Sequence, residues 1–360
     1  MVGLGHIAQV AVLPAFKHAR RNSQLTALVS DDPVKLKELG RLYGVSHLYS
    51  YEEYEQCLQS GVVDAVYIAL PNSLHREYAV KTAEAGIHVL CEKPLAITEE
   101  DCLSIIEIAQ KANVKLMVAY RLHFEQANRE VIDLIRSGRI GEPQIFNSVF
   151  SLQVREGNYR LQKEKGGGTL YDVGVYCINA ARAVFDAEPE EAFAFSTGTE
   201  AGRFKEVDET TSSVLKFPNN KLASFACSFG AADAGVYQVI GTLGVVKIDP
   251  AFDYDLKLRY EITLNGHTEK RVVPYHDQFA PELIYFSDCV LNDVKPEPSG
   301  EEGLADVRVI RALYKSAQTG SSVLLEPFTK TGRQDSTLQI RKPPVSPARV
   351  IRSSSPKLTS

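Results

Sequence analysis

The stretch Gly3-Leu4-Gly5-His6-Ile7-Ala8, at residues 3–8, fits the pattern G-x-G-x-x-G/A. Glycines in this pattern let the backbone turn tightly and approach a pyrophosphate, which lies at the N-terminus of the following helix. Such a loop normally follows a full strand of about five residues, yet only Met1 and Val2 precede it here. We therefore expect most of the first strand to be absent, through a start codon assigned too late rather than a clipped chain. Any export signal could be missing with it.

The chain after this loop alternates short apolar runs with helical stretches, which is typical of βαβ units on a parallel sheet. Helix boundaries are marked by their caps: Asp31 or Asp32 can cap a helix that begins at Pro33, and Gly44 can end it. Thr98 can cap a later helix. The pattern predicts an α/β Rossmann dinucleotide-binding domain with a truncated first strand, whose further strands are the apolar runs 25–29, 63–70, 89–91 and 115–120.

The pattern changes after Gly138, where strands follow one another without intervening helices. This indicates a mostly antiparallel sheet in a second, α+β domain. We place the dinucleotide-binding domain at residues 1–121, the second domain at 122–329 and a tail at 330–360, and expect the helix near 168–185 to pack back on the first domain. The predicted strands are 144–154, 191–197, 211–217, 222–228, 236–241, 245–249 and 257–264, and helical spacing returns at 278–292 and 301–319.

Composition excludes several classes of protein. The 360 residues are 44% hydrophobic and 24% charged, which argues against a fibre or a disordered chain. A net charge of −5 argues against binding to nucleic acid or to an anionic membrane, and no apolar run approaches a membrane span. The default location is cytoplasmic. No CxxC pair occurs, so we expect reduced core cysteines and no metal site.

The tail at 330–360 carries seven Lys or Arg residues against the single acid Asp335, so the rest of the chain is more acidic than the net charge indicates. Several prolines and the run Ser353-Ser354-Ser355 leave the tail without a periodic apolar face. We expect a flexible tail or an arm lying on an acidic neighbouring subunit; a site for an anionic ligand is the alternative.

The end of the second strand predicts the type of dinucleotide. An NAD site usually places a carboxylate about 20 residues after the glycines, to bind the ribose 2′-hydroxyl. Ser30 stands at that position, and Lys35 is within reach on the next helix. A hydroxyl and an ammonium favour a 2′-phosphate, hence NADP. NAD remains possible, since Asp31 or Asp32 could bind its ribose if the register slips by one residue.

Three polar clusters are candidates for chemistry. Glu92-Lys93-Pro94 and Tyr120-Arg121-Leu122-His123 follow predicted strands, where ligands of open α/β sheets bind. Asp172 and Tyr176, four residues apart, would share a helix face after a triple glycine at 166–168. Each alone could be a surface feature; together with the glycine loop they indicate one site. His123, like His75, more readily orients backbone than binds metal.

The sequence resembles the Gfo/Idh/MocA family of NAD(P)-dependent oxidoreductases, and in particular its glucose-fructose oxidoreductase branch. The resemblance runs to about residue 327 and implies a Rossmann domain followed by an open-faced sheet, through which a homodimer or homotetramer forms. It implies Lys93, Asp172 and Tyr176 as catalytic residues, with tyrosine where much of the family has histidine. The segments that carry it are VGLGHIA (2–8), ALVS (27–30), DAVYIALPNSLH (64–75), HVLCEKP (88–94), AYRLHF (119–124), GGGTLYDVGVYCIN (166–179) and EEGLADVRVI (301–310).

The motifs and the resemblance together give the residues expected at the site. For the cofactor these are Gly3, Leu4, Gly5, His6, Ile7, Ser30, Lys35, Tyr51, Leu70, Pro71, Asn72, His75, Glu92, Lys93 and Arg121. For the substrate they are Lys93, Tyr159, Arg160, Asp172 and Tyr176.

Such a site suits oxidation of a sugar hydroxyl, in which carbon loses hydride to the nicotinamide and the hydroxyl loses a proton. A phenol, with an ordinary pKa of about 10, is a poor base unless a cation such as Lys93 favours the phenolate of Tyr176. Alternatively, Lys93 relays the proton and Tyr176 only donates a hydrogen bond. We expect an NADP-dependent enzyme acting on the C1 hydroxyl of a pyranose or on a cyclic polyol. The alternatives are a sugar–sugar oxidoreductase with non-dissociating NADP and a non-catalytic dinucleotide-binding protein.

Overall fold

The computed structural model describes residues 1–199, 201–329, 340–346 and 349–358. Its N-terminal part contains a parallel sheet in which Val2 occupies the position of the first strand. This residue bridges Val29 on one side and Ile68 on the other, in parallel register. It therefore joins the pair β1–β2 to the trio β3–β4–β5, in the order expected of a Rossmann sheet. The strands are β1 (Ala27–Val29), β2 (His47–Tyr49), β3 (Ala65–Ile68), β4 (His88–Glu92) and β5 (Leu116–Ala119).

The helices around this sheet begin and end where their caps predict. Asp32 accepts hydrogen bonds from the backbone of Val34 and Lys35 at the start of one helix, and Gly44 ends it with φ 69°. Thr98 accepts from the Asp101 N–H in the same way. A π-helical turn at Ala8–Val12 follows the glycine loop, and the helices are α1 (Leu13–Ala15), α2 (Pro33–Tyr43), α3 (Tyr54–Gln59), α4 (His75–Glu84) and α5 (Glu99–Lys111).

The second half forms one large sheet, in which all neighbouring strands of the described sheet are antiparallel except β6 and β9. The seven predicted strands are present, and the prediction of a mostly antiparallel sheet is confirmed. The strand order is β13-β12-β11-β10-β6-β9-β8-β7-β14. The strands are β6 (Pro143–Ser151), β7 (Glu191–Thr197), β8 (Thr210–Phe217), β9 (Lys221–Ser228), β10 (Ala234–Gly241), β11 (Gly244–Ile248), β12 (Leu258–Leu264), β13 (His267–Val273) and β14 (Val323–Leu324).

Helices cover one face of this sheet and connect it to the Rossmann part. The longest helix packs against β7 and also against α5 and β5, so both parts share a core. The helix predicted to pack back on the Rossmann part contacts β6 and β9, and the π-helical turn before it, Leu170–Gly174, meets Lys93. The helices of this half are α6 (Gln126–Arg136), α7 (Val175–Phe185), α8 (Phe279–Leu291) and α9 (Gly300–Thr319).

The structure differs from the expectation for the tail. Residues 340–346 and 349–358 lie on the same chain: the Asp277 N–H donates to the Lys342 carbonyl at 3.1 Å, and Ile351 exchanges hydrogen bonds with Gln9. In these contacts the tail contributes backbone groups, so they do not require the periodic apolar face that the sequence lacks. Residues 330–339, 347–348 and 359–360 of the predicted tail lie outside the described residues.

Candidate active site

A cleft of about 970 Å³ lies at the carboxyl ends of the Rossmann strands, between them and the large sheet. It brings together all but one of the residues predicted for the site. The predicted residues that line it are Gly3, Leu4, Gly5, His6, Ile7, Ser30, Lys35, Tyr51, Leu70, Pro71, Asn72, Glu92, Lys93, Arg121, Tyr159, Arg160, Asp172 and Tyr176.

His75 is the predicted residue that does not line the cleft. It is fully buried, with Nδ1 2.8 Å from the Pro94 carbonyl and Nε2 2.9 Å from the Leu70 carbonyl. That it binds cofactor stays a prediction; in the structure both ring nitrogens face backbone carbonyls, and the side chain connects the loops that follow β3 and β4. Sequence position alone could not show this, since it gives the place of a residue at a strand end but not the direction of its side chain.

The glycine loop at residues 3–8 has the form that a dinucleotide requires. Gly3 has φ 85°, and a Cβ there would lie 2.4 Å from the Ala69 carbonyl oxygen. A Cβ on Gly5 would instead meet no atom within 4 Å, so backbone at this position is open to a ligand. The Nδ1 atom of His6 is buried and has no hydrogen-bond partner among the described residues. An open glycine backbone and an unpartnered polar atom in one cleft fit a pyrophosphate at the helix N-terminus.

Lys93 lies at the centre of the cleft, at the end of β4. Its ammonium donates to the Asp172 carbonyl at 2.7 Å and lies 3.5 Å from the Asp172 carboxylate. Burial lowers the pKa of this ammonium, but the acidic groups of Tyr176, Asp172 and Glu92 outweigh burial, and the pKa is raised. Lys93 is therefore a fixed cation, held beside the reacting space.

Asp172 is shared by two cations. Arg160 donates from Nε to the second carboxylate oxygen of Asp172 at 2.7 Å, opposite the contact with Lys93. Burial raises the pKa of Asp172, but the charges of Arg160 and Lys93 outweigh it and hold the pKa below its ordinary value. Arg160 was expected to contact substrate, and the structure shows it bound to Asp172. The close approach depends on Gly167, where a Cβ would lie 2.3 Å from the Arg160 carbonyl oxygen.

The spacing of Asp172 and Tyr176 predicted that both lie on one regular α-helix, and the structure differs from this. Asp172 belongs to the π-helical turn Leu170–Gly174, and Tyr176 to α7 directly after it. Such wider turns occur frequently at functional sites. Here the turn leads directly into α7, while the Asp172 carbonyl accepts a hydrogen bond from Lys93.

Tyr176 presents its ring to two cations. The ring centroid is 4.7 Å from Lys93 Nζ and 5.0 Å from Arg121 Cζ, and Phe150 packs edge-on at 5.3 Å. Within the described chain, the hydroxyl of Tyr176 makes no hydrogen bond to another residue. It is therefore available to a substrate hydroxyl.

Comparison with known proteins identifies the family. A sequence profile described as "Oxidoreductase family, NAD-binding Rossmann fold" matches residues 1–120, and one described as "GFO/IDH/MocA C-terminal domain" matches residues 128–247. The chain belongs to the GFO/IDH/MocA oxidoreductase family. The sequence-based identification and the assignment as an enzyme are thereby confirmed.

Relatives in this family match nearly the whole chain. The NADP(+) D-xylose 1-dehydrogenase of Haloarcula marismortui is 34% identical over 338 residues, which are 91% of this chain and 92% of that relative. The solved aldose-aldose oxidoreductase of Caulobacter crescentus, complexed with glycerol, has a TM-score of 0.86 and 36% identity, covering 90% of this chain and 98% of that one. A 3-ketoreductase of Actinomadura kijaniata, solved with NADP and TDP-benzene, has a TM-score of 0.80 and 27% identity, covering 88% and 96%.

At the other end of the cleft of this GFO/IDH/MocA protein lie the two carboxylates that could bind the ribose of NAD. Both accept hydrogen bonds from backbone N–H groups instead. Asp31 Oδ1 accepts from the Tyr51 N–H at 3.0 Å, and Asp32 caps α2. Ser30 and Lys35 line the cleft, whereas neither aspartate does. The strand end therefore presents a hydroxyl and an ammonium to a ligand.

Two predicted cofactor residues are engaged with protein groups. Arg121 donates to Gln278 Oε1 at 2.6 Å and to the Phe252 carbonyl, so its guanidinium links the cleft wall of the second half to β5. The Glu92 carboxylate accepts from the Tyr67 hydroxyl at 2.8 Å, and burial raises its pKa. Both residues line the cleft, but their hydrogen bonds go to other protein groups and hold the walls of the cleft in position.

Sequence reasoning missed several other cleft residues of the second half, and it named none from the tail. Phe252, Tyr254 and Gln278 line the cleft from segments that carry no recognisable motif. Arg352, in the tail, also lines it. The sequence analysis considered such a role for the tail only as an alternative, in which its basic residues bind an anionic ligand.

No metal-binding cluster of three or more His, Cys, Asp or Glu side chains occurs in the part of the chain that the structure describes. In the same part, no helix is long and apolar enough to cross a membrane. All six cysteines are buried and unpaired, as the sequence predicted.

Proposed function

We propose that the protein is an NADP-dependent oxidoreductase that transfers hydride between the nicotinamide and C1 of a pyranose sugar. The observation that carries this proposal is the grouping of Lys93, Asp172 and the unengaged Tyr176 hydroxyl in one cleft with the glycine loop. The names of the relatives, a D-xylose 1-dehydrogenase and an aldose-aldose oxidoreductase, support a sugar as substrate.

The residues of this chain divide the work of the reaction. A bound nicotinamide cofactor accepts or supplies the hydride. Tyr176 takes the proton of the sugar hydroxyl on its phenolate oxygen and becomes the neutral phenol. This oxygen has no hydrogen-bond partner among the described residues, whereas Lys93 remains charged and donates to the Asp172 carbonyl. Lys93 stabilises the negative charge that develops on the sugar oxygen or on Tyr176. Asp172 holds Lys93 in place, and Arg160 in turn holds the Asp172 carboxylate.

The preference for NADP follows from the corner where β1 ends. The dinucleotide would place its 2′-phosphate at Ser30 and Lys35, while Asp31 and Asp32 are bound to backbone and do not line the cleft. A carboxylate turned into this corner would repel the phosphate, and none is present among the described residues that line the cleft there.

A substrate panel with deuterated sugars tests the proposed function. Aldopyranoses such as D-xylose and D-glucose, and cyclic polyols as comparison, are incubated with NADP or NAD, and nicotinamide absorbance is followed. We expect faster reduction with NADP, and with an aldose deuterated at C1 we expect the deuterium to appear in the reduced cofactor. Deuterium retained in the sugar, or reduction by polyols alone, would contradict transfer from C1.

A second candidate is an oxidoreductase that keeps its cofactor and alternates oxidation of one sugar with reduction of another. The position of residues 349–358 along the cleft favours this second candidate, because a segment placed there would hinder the exchange of a bound dinucleotide. Adding a second aldose would then accelerate turnover without release of reduced NADP. A non-catalytic role is not favoured, since the three reactive side chains are all in place.

We further propose that the chain forms a homodimer, or a tetramer of two such dimers, through the uncovered face of the large sheet. The strand register places apolar side chains on this one face, and they are exposed in the single chain. Light scattering is expected to give at least twice the mass of one chain. A Val214→Lys variant should have a lower mass, because it places a charge on this face. A monomeric wild-type protein would contradict the proposal. The apolar residues are Ile145, Val149, Phe195, Val214 and Leu222.

A further inference from the structure

Residues 349–358 form a short strap along the cleft. Residues 350 and 352–357 line it, together with the residues of the glycine loop and of the catalytic group. The strap is fastened at both ends to different parts of the molecule.

The first end of the strap is attached to the Rossmann part. The Ile351 N–H donates to Gln9 Oε1 at 2.7 Å, and Gln9 Nε2 donates back to the Ile351 carbonyl at 3.0 Å. The same Nε2 donates to the Leu4 carbonyl at 2.8 Å. Gln9 is buried, so the strap is tied to the loop that is expected to bind the pyrophosphate.

The second end is attached to the part that carries the large sheet. Lys357 pairs with Val154 in an antiparallel bridge, and its carbonyl accepts from Arg155 Nε at 2.6 Å. The Leu358 N–H donates to the Gln153 carbonyl at 2.7 Å. The ammonium of Lys357 lies 2.9 Å from Asp233 Oδ2. The strap therefore connects the two walls between which a dinucleotide would lie.

Between these ends, the strap brings a cation to the corner of Ser30 and Lys35. Arg352 Nη1 is 3.5 Å from Asp32 Oδ1, and the Asp32 N–H donates to Ser30 Oγ at 3.2 Å. The same Asp32 oxygen already accepts the Val34 and Lys35 N–H groups. The contact of Arg352 with Asp32 is thus long, and its side chain is 61% exposed. Its guanidinium keeps donors for another anion.

We propose that the strap is a built-in closure that retains the dinucleotide, and that Arg352 binds the 2′-phosphate together with Lys35. The inference rests on the proposed use of NADP and adds a binding residue and a means of slow release. A guanidinium is suited to a phosphate because it offers several donors in a fixed plane. Of the seven basic residues in the tail, Arg352 is thus the one for which we propose an anionic ligand, the 2′-phosphate.

Charge reversal at the second end tests the closure. In the full-length chain loaded with NADPH, release is followed by the loss of its fluorescence after mixing with excess NADP. Lys357→Glu places a carboxylate against Asp233 and should speed release at least about tenfold. The charge swap Lys357→Glu with Asp233→Lys should restore slow release to within about threefold. Equal release rates for the wild type and Lys357→Glu would overturn the closure.

The role of Arg352 is tested by binding alone. Arg352→Ala should weaken NADP binding about tenfold and change NAD binding less than about twofold, because only NADP carries the 2′-phosphate. Arg349→Ala removes the same charge from the same strap, at a position that does not line the cleft, and should leave both affinities nearly unchanged. An equal loss for NADP and NAD, or an equal loss in both variants, would refute the assignment.

These readouts separate the strap from the proposed reaction. Neither measurement requires a sugar, so a failed sugar panel would contradict the function and leave the strap results standing. A thermal melting point for each variant close to that of the wild type establishes that release is not caused by unfolding. If the strap variants release cofactor as slowly as wild type while sugars are oxidised, the closure is wrong and the function stands.

Discussion

Replacing Lys93 by Met is expected to lower turnover by about 10²–10³-fold, the typical cost of removing a fixed group that stabilises developing charge. The side chain is only 12% exposed and lies 3.5 Å from the Asp172 carboxylate and 4.7 Å from the Tyr176 ring centroid. Methionine keeps the length and apolar stem of lysine but removes the ammonium. The measurements are kcat in the steady state and Kd for NADP by fluorescence, and we expect Kd to change little.

Lys111→Met is the matched control. Lys111 lies in the last turn of α5, is exposed and does not line the cleft, so its replacement makes the same chemical change outside the site. Arg160 still pairs with Asp172 in the Lys93→Met variant, so the carboxylate keeps a partner and the fold is expected to persist. An unchanged kcat in Lys93→Met, with the protein folded, would remove Lys93 from the reaction.

Much of the site follows from local sequence, because each of its motifs is a short-range requirement. The glycine loop needs a residue without Cβ at Gly3, where the Ala69 carbonyl approaches. The cap at Asp32 and the stop at Gly44 are fixed by the backbone of one helix. Lys93 stands at a strand end, and strand ends of parallel sheets meet at one edge. Such features can be predicted without knowledge of the tertiary structure.

The parts that could not be predicted depend on contacts between distant segments. The pairing of Arg160 with Asp172 depends on how the loop before the glycines folds back, and no periodicity records this. The strap is held chiefly through its own backbone groups, for which a proline- and serine-rich composition gives no signal. The strand β13 was missed because its side chains are largely polar and exposed, although Asn265-Gly266 before it is a strong hairpin signal.

Replacing Tyr176 by Phe is expected to lower kcat by about 10²–10³-fold and to change KM and cofactor affinity little. The change removes one oxygen and keeps the ring, with its packing on Phe150 and its contacts with Lys93 and Arg121. A positioned proton acceptor typically contributes about 10²–10⁴-fold to the rate, and this contribution is lost in the variant. Tyr43→Phe, the same substitution outside the cleft, is the control and should be silent.

The isotope effect distinguishes a proton acceptor from a residue that only packs. If Tyr176 takes the proton in the step that transfers hydride, its removal makes that step rate-limiting, and the effect of deuterium at C1 of the sugar on kcat increases. A structural loss would lower the amount of active enzyme and leave the isotope effect unchanged. If Tyr176→Phe retains turnover while Lys93→Met does not, Lys93 relays the proton and Tyr176 only donates a hydrogen bond. The two substitutions together therefore decide the assignment that the sequence left open.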